Sequence, residues 1–167
     1  MSETRSDEEL FEQADELIRQ LELVSVTFDR AAGEIRNRSA PDIPSGQDVP
    51  THVTLMLAHR FDEEGLTFKH DAKVAIGGSD EDADDAAAIV EASIVVQFRA
   101  ESPLVPDHER ALALGQTHSH RVMYPYLREL VQSMLARLGV SGATLGLFKA
   151  WDSSRIPRRV VRDEEGR

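Results

Sequence analysis

The stretch at residues 120–139 reads HRVMYPYLRELVQSMLARLG and contains the most hydrophobic helical pattern in the sequence. Its apolar side chains recur every three or four residues from Val122 to Leu138, which is the spacing of one face of an α-helix. Gly139 is well placed to cap that helix at its C-terminus. Pro125 suits a first helical turn, where its missing N–H has no intrahelical partner. The stretch therefore predicts a long amphipathic helix with a wide apolar stripe.

Four strand-like runs precede this helix. Residues 21–29, 52–60 and 66–76 alternate apolar and polar side chains, whereas the run 87–99 is apolar on both faces and is predicted to be a central strand. The sequence FDEEG at 61–65 is typical of a hairpin turn. The predicted fold class is α+β, with a four-stranded antiparallel sheet and a long C-terminal helix packed on one face.

The two ends of the chain are predicted to lie outside this central unit. Ser6 and Glu9 match a capping box at the start of a helical pattern, so residues 1–20 are predicted to be an N-terminal amphipathic helix. Residues 21–149 form the predicted main domain, and residues 150–167 are predicted to be a charged tail.

Composition limits the class of protein. A chain of 167 residues, 41% of them hydrophobic, is expected to fold as one domain. The absence of cysteine excludes disulfides and thiolate chemistry and is compatible with the cytoplasm, which is the expected location. No stretch has the pattern of a signal peptide or a membrane span, so membrane insertion is not expected. The formal charge of −11 repels phosphate and disfavours nucleic acid as a partner.

The apolar surface of the predicted fold exceeds what a single chain can bury. The stripe of the helix is wider than one contact with a sheet requires, and an exposed apolar area of this kind usually marks a partner site. Self-association through identical helices is the simplest way to cover it. The residues predicted to lie in an oligomer interface are Met123, Tyr126, Leu127, Leu130 and Met134.

The start of the helix resembles the (F/Y)-P-Y-x-R-E segment of SecB-type chaperones. The close match covers residues 122–139, and the order of the elements extends a weaker likeness from about residue 21 to residue 148. The residues that carry the resemblance are Tyr124, Pro125, Tyr126, Arg128 and Glu129.

This resemblance implies a homotetramer built from two dimers, each subunit having four antiparallel strands on a long helix. Members of the family are ATP-independent chaperones, or holdases, that bind unfolded or precursor polypeptides. Some serve protein export with the SecA motor, and others protect the antitoxin of a toxin-antitoxin system. After Gly139 this chain has VSGATLGLF in place of the family's proline-containing strand segment, and the tail associated with SecA is not apparent. Its N-terminal helix is more similar to the toxin-antitoxin branch.

Several apolar residues are candidates for contact with such polypeptides. Strand alternation places four of them on the sheet face opposite the core-facing Leu55 and Val96, although subunit contacts explain them equally well. The predicted polypeptide-binding residues are Leu23, Met56, Ile89, Val95, Phe148 and Trp151.

Two other classes of protein stay open: an enzyme or ligand-binding protein that uses the histidines and carboxylates, and a structural oligomer subunit. The signals for chemistry are weak. His118 and His120 diverge on a helix, and the acidic run at 80–85 has Asp85 where a calcium loop needs glycine. Ser119 has no nucleophile elbow around it. No catalytic residue, metal site or cofactor is predicted.

Overall fold

The computed structural model describes residues 7–36, 51–77, 86–105 and 107–140. The helices and strands within these ranges are α1 (Asp7–Ile18), β1 (Leu21–Ile35), β2 (Thr51–Asp62), β3 (Gly65–Ile76), β4 (Ala88–Ala100), α2 (His108–Leu114), a π-helical segment (Gly115–Ser119) and α3 (His120–Arg137). The predicted α+β class, with a four-stranded antiparallel sheet and a long C-terminal helix, is confirmed. The division into residues 1–20, 21–149 and 150–167 stays a prediction.

The four strands form one antiparallel sheet in the order β1-β4-β3-β2. Strands β2, β3 and β4 follow one another as neighbours, while β1 lies beside β4, which is a Greek-key arrangement. The predicted central strand is confirmed, because β4 pairs with β1 on one side and β3 on the other. The order leaves β1 and β2 as the two edge strands.

The predicted hairpin at 61–65 is confirmed, and its glycine has a steric reason. Asp62 pairs with Gly65, so only Glu63 and Glu64 lie in the turn between β2 and β3. A Cβ atom on Gly65 would collide with the backbone carbonyl oxygen of Phe98 on β4. Glycine allows the turn to lie close against the neighbouring strand.

The C-terminal helix is longer than the sequence pattern predicts. It runs without interruption from His108 to Arg137, with the π-helical segment widening one turn in the middle. Gly115 begins that segment, where a Cβ atom would lie only 2.8 Å from the side chains of Leu57 and Phe68. The small residue lets the helix lie directly on the sheet. None of the described helices has the length and apolarity needed to cross a membrane.

Pro125 lies inside α3, so its predicted place in a first turn is wrong. Helix α2 and the π-helical segment lead directly into α3, so the long helix begins at His108. The proline ring has no N–H to donate to the preceding turn, and an interior proline usually bends a helix.

The core fills the space between the sheet and the helices. Its largest fully buried side chains include Phe68 on β3, Ile94 on β4, and Leu114 in the long helix. Helix α1 adds Ala14 and Leu17 to the same core. The buried residues of α3 follow one stripe and are His120, Met123, Leu127, Val131 and Leu135.

Candidate polypeptide-binding surface

Strand β1 is an edge strand with exposed apolar side chains. Within the described part of the chain its only strand partner is β4, so the backbone groups on its other edge have no strand to pair with. Leu23, Val24 and Phe28 are 44%, 47% and 44% exposed, which is high for large apolar side chains. We call these three residues together with the free edge of the strand the β1 surface.

Two bulges shape this surface. The pairing of β1 with β4 shifts by one residue between Leu23 and Ser25 and again between Phe28 and Arg30. Each shift leaves one residue, Val24 or Asp29, without a partner opposite it. Bulges of this kind increase local twist and redirect side chains, and they are frequent at sheet edges. Because of the first bulge, Leu21 and Leu23 lie on the same side of the sheet as Val26 and Phe28.

An open cleft of about 740 Å³ adjoins Val24. Its walls come from the β2–β3 turn and the end of β4, and they include Arg60, Gln97 and Arg99. The cleft combines apolar and polar groups, so it can take an extended chain that presents both its backbone and its side chains.

The predicted position of Leu23 on the second face of the sheet is wrong. Leu23 lies directly opposite Phe98, a core-facing residue of β4, because the bulge at Val24 changes the phase of alternation. Directly paired residues in an antiparallel ladder lie on the same face. Leu23 is therefore on the side of the sheet that carries the helices, although its side chain is 44% exposed.

The other predicted binding residues have different environments. Met56 is 46% exposed and lies opposite Asp71, whereas Val95 is half-buried beside Lys69. Ile89 is buried with Ala75 and Ala86 in a small cluster separate from the main core. Its side chain has almost no exposed surface for a polypeptide to contact. Phe148 and Trp151 lie outside the described residues. Polypeptide binding by Ile89 is therefore not supported, whereas binding by Met56, Val95, Phe148 or Trp151 stays a prediction.

The second face of the sheet is charged rather than apolar around Met56. Arg30 Nη2 lies 3.6 Å from Glu91 Oε2, and Lys69 Nζ lies 3.1 Å from Asp29 Oδ2. Exposed pairs of this kind contribute little to stability, but they keep a surface hydrated. The second face therefore presents ion pairs beside the exposed side chain of Met56.

The predicted oligomer interface divides into two groups. Met123 and Leu127 are fully buried in the core of their own chain, so their assignment to an interface is wrong. Tyr126 is 41% exposed, and Leu130 and Met134 are partly buried at the margin of the core. These three residues follow a helical stripe next to the buried one, and they are the members of the predicted interface that stay available to a partner.

A serine and a histidine lie together beneath the π-helical segment. Ser119 Oγ is 2.7 Å from His70 Nε2, a distance that would suit a nucleophile and its base. Ser119 is 0% exposed and His70 is 1% exposed, so a substrate cannot reach the pair. Burial, with a smaller effect from His120, lowers the pKa of His70 to about 3. The geometry supports a structural hydrogen bond in the core rather than catalysis.

His118 and His120 point to different surroundings, as predicted from their spacing. His118 Nε2 lies 2.6 Å from Asp15 Oδ1 and connects the long helix to α1, while His120 is buried beside the ring of Tyr124. Over the described ranges there is no group of three or more histidines, cysteines and carboxylates placed to hold a metal ion. The acidic run at 80–85 lies outside those ranges.

The alternating pattern of residues 21–29 gave no indication that Val24 and Phe28 are exposed. Strand alternation shows which residues share a face, but it does not show that β1 is an edge strand which the long helix covers only in part. One signal was present: Leu23 and Val24 are adjacent apolar residues where strict alternation would put one polar residue.

Comparison with known structures gives this arrangement a context. The SecB-like chaperone Rv1957 of Mycobacterium tuberculosis, in complex with a ChAD peptide from the HigA1 antitoxin, is similar with a TM-score of 0.70 and 17% identity. The match covers 84% of this chain and 99% of that chain. A Streptococcus agalactiae protein of unknown function is similar at a TM-score of 0.37 and 15% identity, over 75% of this chain and 96% of that one. No family model matches the chain, and no curated protein matches it. The protein has a SecB-like fold.

Proposed function

We propose that this protein is an ATP-independent SecB-like chaperone that binds extended segments of non-native polypeptides, including an antitoxin, through the β1 surface. The observation that carries the proposal is an edge strand with three exposed apolar side chains, in a fold whose M. tuberculosis representative binds an antitoxin peptide. We infer that binding, not catalysis, is its activity. Protein export with SecA stays a prediction from the family resemblance.

The chemistry of the β1 surface suits a partner of variable sequence. A free strand edge recognises the backbone of an added strand through hydrogen bonds, which every polypeptide offers. Apolar contact adds about 25 cal/mol per Å² of buried area and has no directional requirement. Affinity then depends on the apolar content of the partner, and the net charge of −11 keeps the complex soluble. A chain without cysteine suits the reducing cytoplasm, where we propose that it acts.

The first test of this proposal compares Phe28→Lys with Met56→Lys. Phe28→Lys should weaken binding of an unfolded client or an antitoxin peptide at least about tenfold, because burial of a large apolar side chain contributes about 1.5–3 kcal/mol. Met56→Lys changes an equally exposed apolar residue on the charged second face and should leave affinity within about twofold. Fluorescence anisotropy with a labelled peptide, without ATP, gives both values.

The two variants also separate the competing surfaces. If Met56→Lys weakens binding and Phe28→Lys does not, the second face is the binding site and the β1 surface is excluded. If neither variant changes affinity, both surfaces are excluded. Suppression of aggregation of an unfolded enzyme, measured without ATP, shows independently whether the wild-type protein is a holdase.

We propose that the subunits assemble as a homotetramer through the half-exposed stripe of α3. Leu130 and Met134 are apolar and only partly covered by their own chain, so a second copy can cover the remainder. Sedimentation equilibrium should show a species larger than a dimer, and Leu130→Asp or Met134→Asp should reduce its mass because each places a carboxylate in the interface. A wild-type monomer at micromolar concentration, or unchanged mass in both variants, would contradict this assignment.

A further inference from the structure

Two histidines that are far apart in the sequence meet where the long helix begins. His59 lies near the end of β2 and His108 is the first residue of α2. The Nε2 atom of His59 is 3.3 Å from the Nδ1 atom of His108. At this distance one ring can donate a hydrogen bond to the other. Two nitrogens bound to one tetrahedral zinc ion at about 2.0–2.1 Å are about 3.3–3.4 Å apart.

Both rings are held in place by their surroundings. His59 stacks on Phe61 with an angle of 11° between the rings, and its centroid is 6.3 Å from that of Phe68. His108 meets the edge of Phe61 at a centroid distance of 4.8 Å. The backbone around His108 is fixed as well, because the carboxylate of Asp107 accepts hydrogen bonds from the backbone N–H groups of Glu109 and Arg110. A site on a strand and a capped helix is pre-organised for a ligand.

We propose that His59 and His108 form a binding site for a divalent transition-metal ion of the zinc class, with water in the remaining coordination positions. Imidazole nitrogens suit zinc, copper and nickel, whereas calcium and magnesium prefer oxygen. The described residues contain no third histidine or carboxylate placed to complete the set. His108 is exposed, so an ion and its water ligands can reach the pair from solvent.

An imidazole ring binds a metal ion through the lone pair of its neutral form, so the site is tested above pH 7. A bound ion would tie the edge strand β2 to the beginning of the long helix.

This inference is independent of the proposed chaperone function. His59 lies on β2 and His108 at the start of α2, whereas the β1 surface is at the opposite edge of the sheet. Loss of metal binding would leave the peptide-binding test unaffected, and loss of peptide binding would leave the metal site unaffected. The two ideas can fail separately.

Isothermal titration of the full chain with zinc chloride at pH 7.5 tests the site. The wild type should bind one ion per chain, and His59→Gln and His108→Gln should each weaken binding at least about tenfold, because a chelate needs both rings. His118→Gln is the matched control, since His118 is also a partly exposed histidine on the long helix and contacts another side chain, the carboxylate of Asp15. It should bind zinc like the wild type.

Histidine ring NMR signals give a readout that does not depend on variants. Zinc should shift the ring signals of His59 and His108 and leave those of the buried His70 and His120 unchanged. A wild type that binds no zinc, equal binding by all three variants, or loss of binding only in His118→Gln would each overturn the proposal.

Discussion

Lowering the pH from 7 to 5 should reduce the free energy of unfolding by about 4 kcal/mol, because two buried histidines must stay neutral in the folded protein. Burial lowers the pKa of His120 to about 4, and burial with the nearby His120 lowers that of His70 to about 3. Their rings lie 6.0 Å apart, so charging both would add repulsion to the desolvation cost.

The direction follows from comparing the two states. In the unfolded chain a histidine has a pKa of about 6.5, so below that pH the unfolded state binds protons that the folded state does not. The stabilisation is complete above pH 6.5 and decreases as the pH falls towards the folded values. Each histidine contributes about 2 kcal/mol to the loss between pH 7 and pH 5. Urea unfolding at several pH values measures it.

A variant without the two rings supplies the control. The double substitution His70→Gln/His120→Gln should flatten the slope between pH 7 and pH 5, even if its stability at pH 7 is lower. The net charge also decreases as the pH approaches the isoelectric point, which reduces self-repulsion and raises stability. Both proteins share this opposing effect, so the comparison removes it. Equal slopes for the variant and the wild type would show that these histidines do not control the acid sensitivity.

Leu127→Asp should prevent the chain from folding, whether or not the protein assembles. Leu127 is fully buried between α3 and the sheet, and replacing it removes apolar contacts worth about 2–5 kcal/mol. Burying a carboxylate without a partner adds a further cost of several kcal/mol. Together these effects approach the whole stability of a typical domain, about 5–15 kcal/mol. Thermal unfolding followed by circular dichroism should show no cooperative transition.

Leu130→Asp on the same helix is the matched comparison. Leu130 is only partly buried, so its carboxylate can reach solvent and the subunit should fold with lower oligomer mass. A folded Leu127→Asp variant with near wild-type melting temperature would show that Leu127 does not lie in the subunit core. The pair therefore separates residues that hold the subunit together from residues that join subunits.

The sequence contains more of the sheet geometry than a single alternating pattern reveals. The residues of β1 that lie opposite core-facing residues of β4 fall in three short runs, each with a period of two. The breaks between the runs coincide with the two bulges, at Val24 and Asp29. The runs are Leu21 and Leu23, then Val26 and Phe28, then Ala31, Gly33 and Ile35. A search for changes of phase would have placed Leu23 on the correct face.

Other features depend on contacts between distant segments, which periodicity does not encode. The apolar stripe of α3 predicts a wide contact surface, but only packing decides that Met123 faces the core while Tyr126 faces outward. The meeting of His59 with His108 requires the end of β2 to lie beside the beginning of α2. No local pattern places those two elements together.

The position of β1 in the sheet has a consequence for biosynthesis. Strands β2, β3 and β4 can pair as successive hairpins, whereas Leu21 at the start of β1 needs Ala100 at the end of β4. Contacts between segments so distant along the chain form slowly, and at about 5–20 residues per second the ribosome takes several seconds to deliver β4. During that interval the nascent β1 is an unpaired apolar segment. A newly made chain would therefore present the kind of sequence that we propose the finished protein binds.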